Sequence, residues 1–224
     1  MEVITVKVFK RIYHWIDERV EMDAYIKKNI LNKPAPGGLN LSFCFGGVTF
    51  FLLLMLGASG YFLTIYYVPI PDYAYGAVDY ITNEVPMGGI VRSVHYWSAN
   101  LMIVTIFLHT LRVFIYGAYK RPRELTWISG VLLLVIVLAF GFTGYLLPWD
   151  QKAYWATEVG TRIMGTVPVV GSYFLKIIRG GEEISALTLI RFYALHVFFL
   201  PILTVCLLIG HFFMIRKQGI STTL

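Results

Sequence analysis

Four apolar runs, at about 43–67, 90–115, 126–148 and 190–214, dominate this chain and decide what it can fold into. Each is long enough to cross a hydrocarbon layer of ~30 Å as an α-helix, a form that satisfies its backbone N–H and C=O groups internally where no water can reach them. With 57% hydrophobic residues, 14% charged residues and a mean hydropathy of +0.67, the chain is too apolar for an ordinary soluble domain. The predicted fold is therefore all-α. It is an integral membrane four-helix bundle, a single domain over 1–224, with an N-terminal interfacial amphipathic helix and short helices in the third connecting loop.

The net charge of +6 would raise the question of nucleic acid in a soluble protein, but here the positive charges are sorted by loop. Lys7, Lys10, Arg11, Arg19, Lys27, Lys28 and Lys33 precede the first span. Lys120, Arg121 and Arg123 lie between spans two and three, and Arg216 and Lys217 follow span four. The loop between spans one and two carries only Asp72, Asp79 and Glu84, and the loop between three and four mixes both signs. Positive loops stay on the cytoplasmic side, so both termini are placed there and a nucleic-acid role is set aside. The N-terminal segment lacks the compact apolar stretch of a cleaved signal. Val6, Phe9, Tyr13, Ile16 and Val20 instead repeat opposite Lys7, Lys10 and Arg11, as in a helix lying in the membrane interface; a solvated lead-in is the alternative.

His95 and His109 in span two are 14 residues apart, and His196 and His211 in span four are 15 apart. Those steps correspond to ~21 and ~22 Å of helix, close to four turns, so both histidines of each span face roughly the same way. Spans two and four both descend if span one rises. His95 and His196 then share the outer level, and His109 and His211 the inner one. Gly46 and Gly60 in span one, and Gly130 and Gly144 in span three, repeat the 14-residue step at the same two depths. Glycine admits close approach to a helix backbone, for a flat macrocycle or for simple helix packing. Two facing histidine pairs suit the two axial positions of two haem irons; with both positions filled, such irons carry electrons and bind no gas or substrate. An interhelical hydrogen bond is the plainer use of an intramembrane histidine. His14 has no partner at its depth and reads as a surface residue.

Haem propionates call for charge-assisted hydrogen bonds. Arg92 and Arg191 lie near the outer histidines, Arg112 and Arg216 near the inner ones. Positive-inside anchoring accounts for Arg216 equally well, but not for Arg92 or Arg191 on the opposite side. Cys44 and Cys206 lie near or within apolar spans and imply no disulfide framework.

The segments CFGGVTF (44–50), IVRSVHYWSANL (90–101), LHTLRVF (108–114), KRPRELTWISGV (120–131), GFTGYLLPWDQKAYWATEV (141–159), LTLIRFYALHVFFLP (187–201) and HFFMIRKQGIS (211–221) carry a resemblance over almost the whole chain. The sequence resembles the short, four-helix cytochrome b6-type cytochrome b of quinol:cytochrome c or plastocyanin oxidoreductases, and the 15-residue step in span four is similar to that branch. The resemblance implies two b-type haems, a quinol oxidation site outside and a quinone site inside. It implies an outer pocket lined by Tyr154, Trp155, Ala156 and Val159, completed by a Pro-Glu-Trp-Tyr motif on a separate three-helix subunit. It further implies a Rieske iron–sulfur protein, a c-type cytochrome and a dimeric complex as partners. The cysteine at the position of Cys44 in such proteins carries a c-type haem on one thioether; inert packing is the alternative, and no Cys-x-x-Cys-His motif occurs. Cys206 reads as packing. The membrane would be that of a bacterial cell, with a thylakoid as the alternative. Two rival readings are a di-haem anchor for a hydrogenase, formate or succinate dehydrogenase, and a cofactor-free membrane scaffold.

Overall fold

The computed structural model describes residues 41–219 continuously, and positions 10, 11, 13–15, 17–19, 21, 23, 24, 27 and 32 before them. The chain divides into two compact units, 1–39 and 40–224. In the first, the described positions from Lys10 to Arg19 are helical, with the Arg19 guanidinium 4.1 Å over the Trp15 ring and His14 exposed. The amphipathic pattern there rests on Val6, Phe9, Ile16 and Val20, which lie outside the described residues.

In the second unit a single 3-10 turn (Leu41–Cys44) leads into α1 (Phe45–Thr64), followed by α2 (Pro71–Asn83), α3 (Gly88–Ile115), α4 (Glu124–Leu146), α5 (Gln151–Gly165), α6 (Gly171–Arg179), α7 (Ala186–Ala194), a π turn (Leu195–Phe199) and α8 (Leu200–Gln218). No strand occurs among the described residues. Four stretches are long and apolar enough to cross a membrane: Leu41–Tyr66, Gly88–Ile115, Glu124–Leu146 and Ala186–Gln218. The last runs four residues beyond the apolar pattern at each end, because polar caps and not hydropathy terminate it. Ser185 and Thr188 form a capping box at its start, and Gly219, at φ +74°, stops it.

The short helices of the third loop are present as α5 and α6, and the first loop holds a further one, α2, that the hydropathy pattern did not announce. Pro71 opens α2 at a position where a missing N–H costs nothing, and Asp72 complements the helix dipole. Span two starts hard against α2. A Cβ on Gly88 would stand 2.0 Å from the Ile81 carbonyl oxygen, so only glycine allows this corner.

Span one packs along span two, and span four along span three, with lighter contact between spans two and three. The core lies in two places. Leu52, Met102, Ile106 and Val137 form an apolar plug halfway along the spans, between the two histidine levels. Ala74, Leu146, Leu189 and Phe192 join α2, the end of α4 and the start of span four at the outer end. Most other span residues face outward, among them Phe51, Phe107 and Phe213, as expected where lipid or neighbouring subunits replace water.

Candidate functional site

The two histidine-bearing spans are not packed against one another as backbones; each leans on a glycine-bearing neighbour. A methyl built on Gly60 would meet Cε1 of His95 at 3.2 Å, and one on Gly144 would meet Cε1 of His196 at 2.6 Å. At the inner level the same contacts are Gly46 with His109 at 3.0 Å and Gly130 with His211 at 3.3 Å. The four glycines thus stand at the depths of the four histidines, but what they admit is the imidazole edge of the adjoining span. Expectation had given that space to a macrocycle.

Across the bundle the rings of His95 and His196 are 6.4 Å apart between centroids and inclined at 66°, with the Phe140 ring 5.3 Å from His196 and edge-on. Two metal–imidazole bonds of ~2 Å, with ~1 Å from each nitrogen to its ring centre, require about this separation. His109 and His211 lie within electrostatic reach of each other at the inner level. Among the described residues no cluster of three or more His, Cys, Asp or Glu could hold a bare ion. Histidines in pairs supply two ligands, so an iron held between them needs its other donors from a macrocycle, and the paired donor set fits a haem.

His196 stands level with His95, and His211 with His109, despite the extra residue in span four, and this has a local cause. The Leu200 N–H bonds the Leu195 carbonyl five residues back, closing a π turn that begins beside His196. A π turn absorbs one residue with almost no gain in rise, so the 15-residue step spans nearly the length and phase of a 14-residue one. Pro201 follows immediately. Its missing N–H and its ring both disfavour regular α-helix upstream, which fits the widened turn at this place.

Three hydroxyls sit on the Nδ1 side of the histidines and escaped the sequence reading: Ser59 Oγ lies 3.0 Å from His95, Thr143 Oγ1 3.1 Å from His196 and Ser129 Oγ 2.8 Å from His211. Each immediately precedes one of the four glycines, a pairing visible in the sequence. Arg112 is buried with its guanidinium 4.0 Å over Phe43 and 4.7 Å over Tyr116, beside the turn containing Cys44. Arg92 donates to Thr82 Oγ1 at 3.1 Å, Arg191 donates to the Ile177 carbonyl, and Arg216 is exposed in the last turn of α8. Cys44 and Cys206 are both free and exposed, so Cys206 does not pack inside this chain as anticipated.

Helix α5 buries Ala153, Thr157 and Thr161 and turns Trp155, Ala156 and Val159 outward, with Tyr154 half-buried between the Trp149 and Trp155 rings. Asp150 caps it by accepting from the Ala153 N–H at 2.7 Å. Behind α5 lies a polar knot. Arg179, 2% exposed, pairs with the Glu158 carboxylate at 2.9 Å and donates to Thr161 Oγ1 and to the carbonyls of Glu158 and Glu182. Thr188 Oγ1 donates to the Arg179 carbonyl at 2.7 Å, tying in span four. Tyr67 donates to the Leu147 carbonyl at 2.6 Å, and burial raises its phenol above the usual range. At the other end Gln218 accepts from Thr126 Oγ1 at 2.8 Å and donates to the Pro122 carbonyl at 2.7 Å, locking the end of span four to the start of span three.

A family model described as Cytochrome b/b6/petB matches residues 30–219. Proteins named Cytochrome b6 from Tupiella akineta and from Gloeobacter violaceus are each 46% identical over 211 residues, covering 94% of this chain and 98% of theirs. The one from Euglena gracilis is 44% identical over the same shares. A solved structure titled Hyperthermophilic respiratory Complex III superposes with a TM-score of 0.84 at 32% identity, covering 92% of this chain, which spans 55% of the chain it matches. With its four apolar spans, its level histidine pairs and relatives alike over nearly their full length, the chain belongs to the cytochrome b/b6 family, as a transmembrane b-type cytochrome subunit of a quinol oxidoreductase.

Proposed function

We propose that the chain conducts electrons from a quinol oxidised at its outer end to a quinone reduced at its inner end, through His95 and His196 and then through His109 and His211. The observation that carries this is the outer ring pair, 6.4 Å apart and each backed by a glycine. When bound, a b haem at each level supplies a one-electron couple. The four imidazoles would hold the two irons, and Gly46, Gly60, Gly130 and Gly144 let those rings sit close to the neighbouring helix. Arg92 and Arg191 at the outer rim, and Arg112 and Arg216 at the inner, offer guanidinium forks to propionates. The plug around Met102 keeps water from the path between levels.

Tyr154, Trp155, Ala156 and Val159 present the outward face of α5 as one wall of the quinol pocket. A three-helix subunit bearing the Pro-Glu-Trp-Tyr motif supplies the other wall. Each quinol yields two electrons and two protons; one electron enters this chain and the other leaves through a Rieske protein to a c-type cytochrome. Cys44, exposed at the head of α1 two residues before Gly46, attaches a c-type haem by one thioether beside the inner level. The complex is dimeric and sits in a bacterial cell membrane, with both termini of this chain on the cytoplasmic side.

Reduced-minus-oxidised spectra of the purified complex test the reading. Wild type should show two b components, with His196→Leu removing one and His211→Leu the other; a wild-type chain without tetrapyrrole overturns it. On a denaturing gel stained for haem, colour at this subunit's mass should vanish in Cys44→Ser. A colourless wild-type band rejects the thioether.

A further inference from the structure

The hydroxyls beside the histidines are unevenly distributed, and the unevenness falls between the two levels. Ser59 precedes Gly60, Thr143 precedes Gly144 and Ser129 precedes Gly130, but Gly46 is preceded by Phe45, which has no hydroxyl. The outer level therefore has two hydroxyls of this kind and the inner level one. Each hydroxyl proton is already placed: Ser59 Oγ donates to the Met55 carbonyl at 2.6 Å, Thr143 Oγ1 to the Ala139 carbonyl at 2.7 Å and Ser129 Oγ to the Thr126 carbonyl at 2.9 Å. A hydroxyl has one proton to give, so towards the imidazole its oxygen is left to accept. That requires the proton on Nδ1 and leaves the Nε2 lone pair free to face the bundle axis.

We infer that Ser59, Thr143 and Ser129 are positioning residues that fix the tautomer and orientation of His95, His196 and His211, and that Phe45 in the fourth place sets the outer level below the inner one in reduction potential. The inference rests on the haem reading above. An Nδ1–H that donates to an oxygen makes its imidazole a stronger electron donor, which favours the oxidised metal and lowers the potential. The hydroxyl's own bond to a carbonyl polarises its oxygen and strengthens that acceptance. Two such bonds outside against one inside make the step from outer to inner downhill. The electron then moves away from the quinol-oxidising face by a bias built into the helices.

Spectropotentiometric titration of the assembled complex decides this. Ser59→Ala and Thr143→Val should each raise the outer couple, increasing its reduced-to-oxidised ratio at fixed ambient potential by about threefold to tenfold, or ~30–60 mV at 59 mV per tenfold for one electron. Ser59→Thr, which keeps the hydroxyl, should restore the wild-type value. Phe45→Ser, which adds the missing acceptor, should lower the inner couple by a similar factor and narrow the gap. Should an alanine or valine variant lose its haem, Phe45→Ser decides alone, since it removes no bond. Full-haem Ser59→Ala and Thr143→Val that titrate as wild type, or a Phe45→Ser inner couple that stays in place, overturn the inference. A wild-type complex lacking two titrating b components would instead sink the underlying assignment.

Discussion

At the scale of single residues the four glycines are graded, and the grading is testable. A methyl on Gly144 would meet His196 at 2.6 Å, closer than real Cβ contacts come, whereas Gly60 and Gly130 offer 3.2 and 3.3 Å. Gly144→Ala should push His196 off its axis at an overpacking cost of about 1–3 kcal/mol and empty the outer level first. Gly46→Ala, at 3.0 Å, should follow, with Gly60→Ala and Gly130→Ala mildest. Gly141→Ala in the same helix, where a Cβ meets nothing within 4 Å, should leave haem content unchanged. The haem-to-protein ratio of each purified variant checks the order, and equal losses across all five would refute the steric argument. The histidines and glycines were legible in the sequence because depth in a regular helix follows from residue count alone. The hydroxyls were equally visible as letters. They went unread because a helical serine ordinarily spends its hydroxyl on its own backbone, and only the tertiary contact shows that it does both.

At the scale of elements, the four spans were legible in the hydropathy, whereas the four further residues at each end of span four, helix α2 and the π turn were not. Periodicity arguments assume 3.6 residues per turn throughout, so a single extra residue passes as 1.5 Å of added depth. The structure shows a slack residue beside His196 and none between His95 and His109, since α3 is regular α-helix across that interval. Deleting Val197 should anneal the π turn into α-helix and keep both b components, now with a 14-residue step in span four. Deleting Val104 in span two should rotate one histidine ~100° off its partner and abolish one b component. Matching losses in the two deletions would show that the widened turn is not slack. The knot around Arg179 was hidden for a different reason: its partners come from α5, the loop after α6 and span four, and no local pattern announces a tertiary ion pair.

At the scale of the whole molecule, the spans are apolar outside as well as inside, and charge is confined to their ends, so orientation is set by the loops. Lys120, Arg121 and Arg123 crowd the connection between spans two and three, whereas the α2 connection has only Asp72, Asp79 and Glu84. Four spans put the first and third connections on one side and the second connection with both termini on the other. The positive set should therefore face the cytoplasm. In a Cys44→Ser, Cys206→Ala background, a membrane-impermeant maleimide should label Lys120→Cys in inverted vesicles only and Glu183→Cys in right-side-out vesicles only; both positions are exposed. Labelling of both from one side would contradict four crossings, and a clean reversal would mean that the acidic first connection faces inward. Reversal would also put Tyr154, Trp155 and Val159 on the cytoplasmic side, and with them the wall proposed for quinol oxidation. Protons released from quinol there would enter the cytoplasm, so the side that receives the protons of the proposed quinol oxidation depends on the same charge asymmetry that orients the helices.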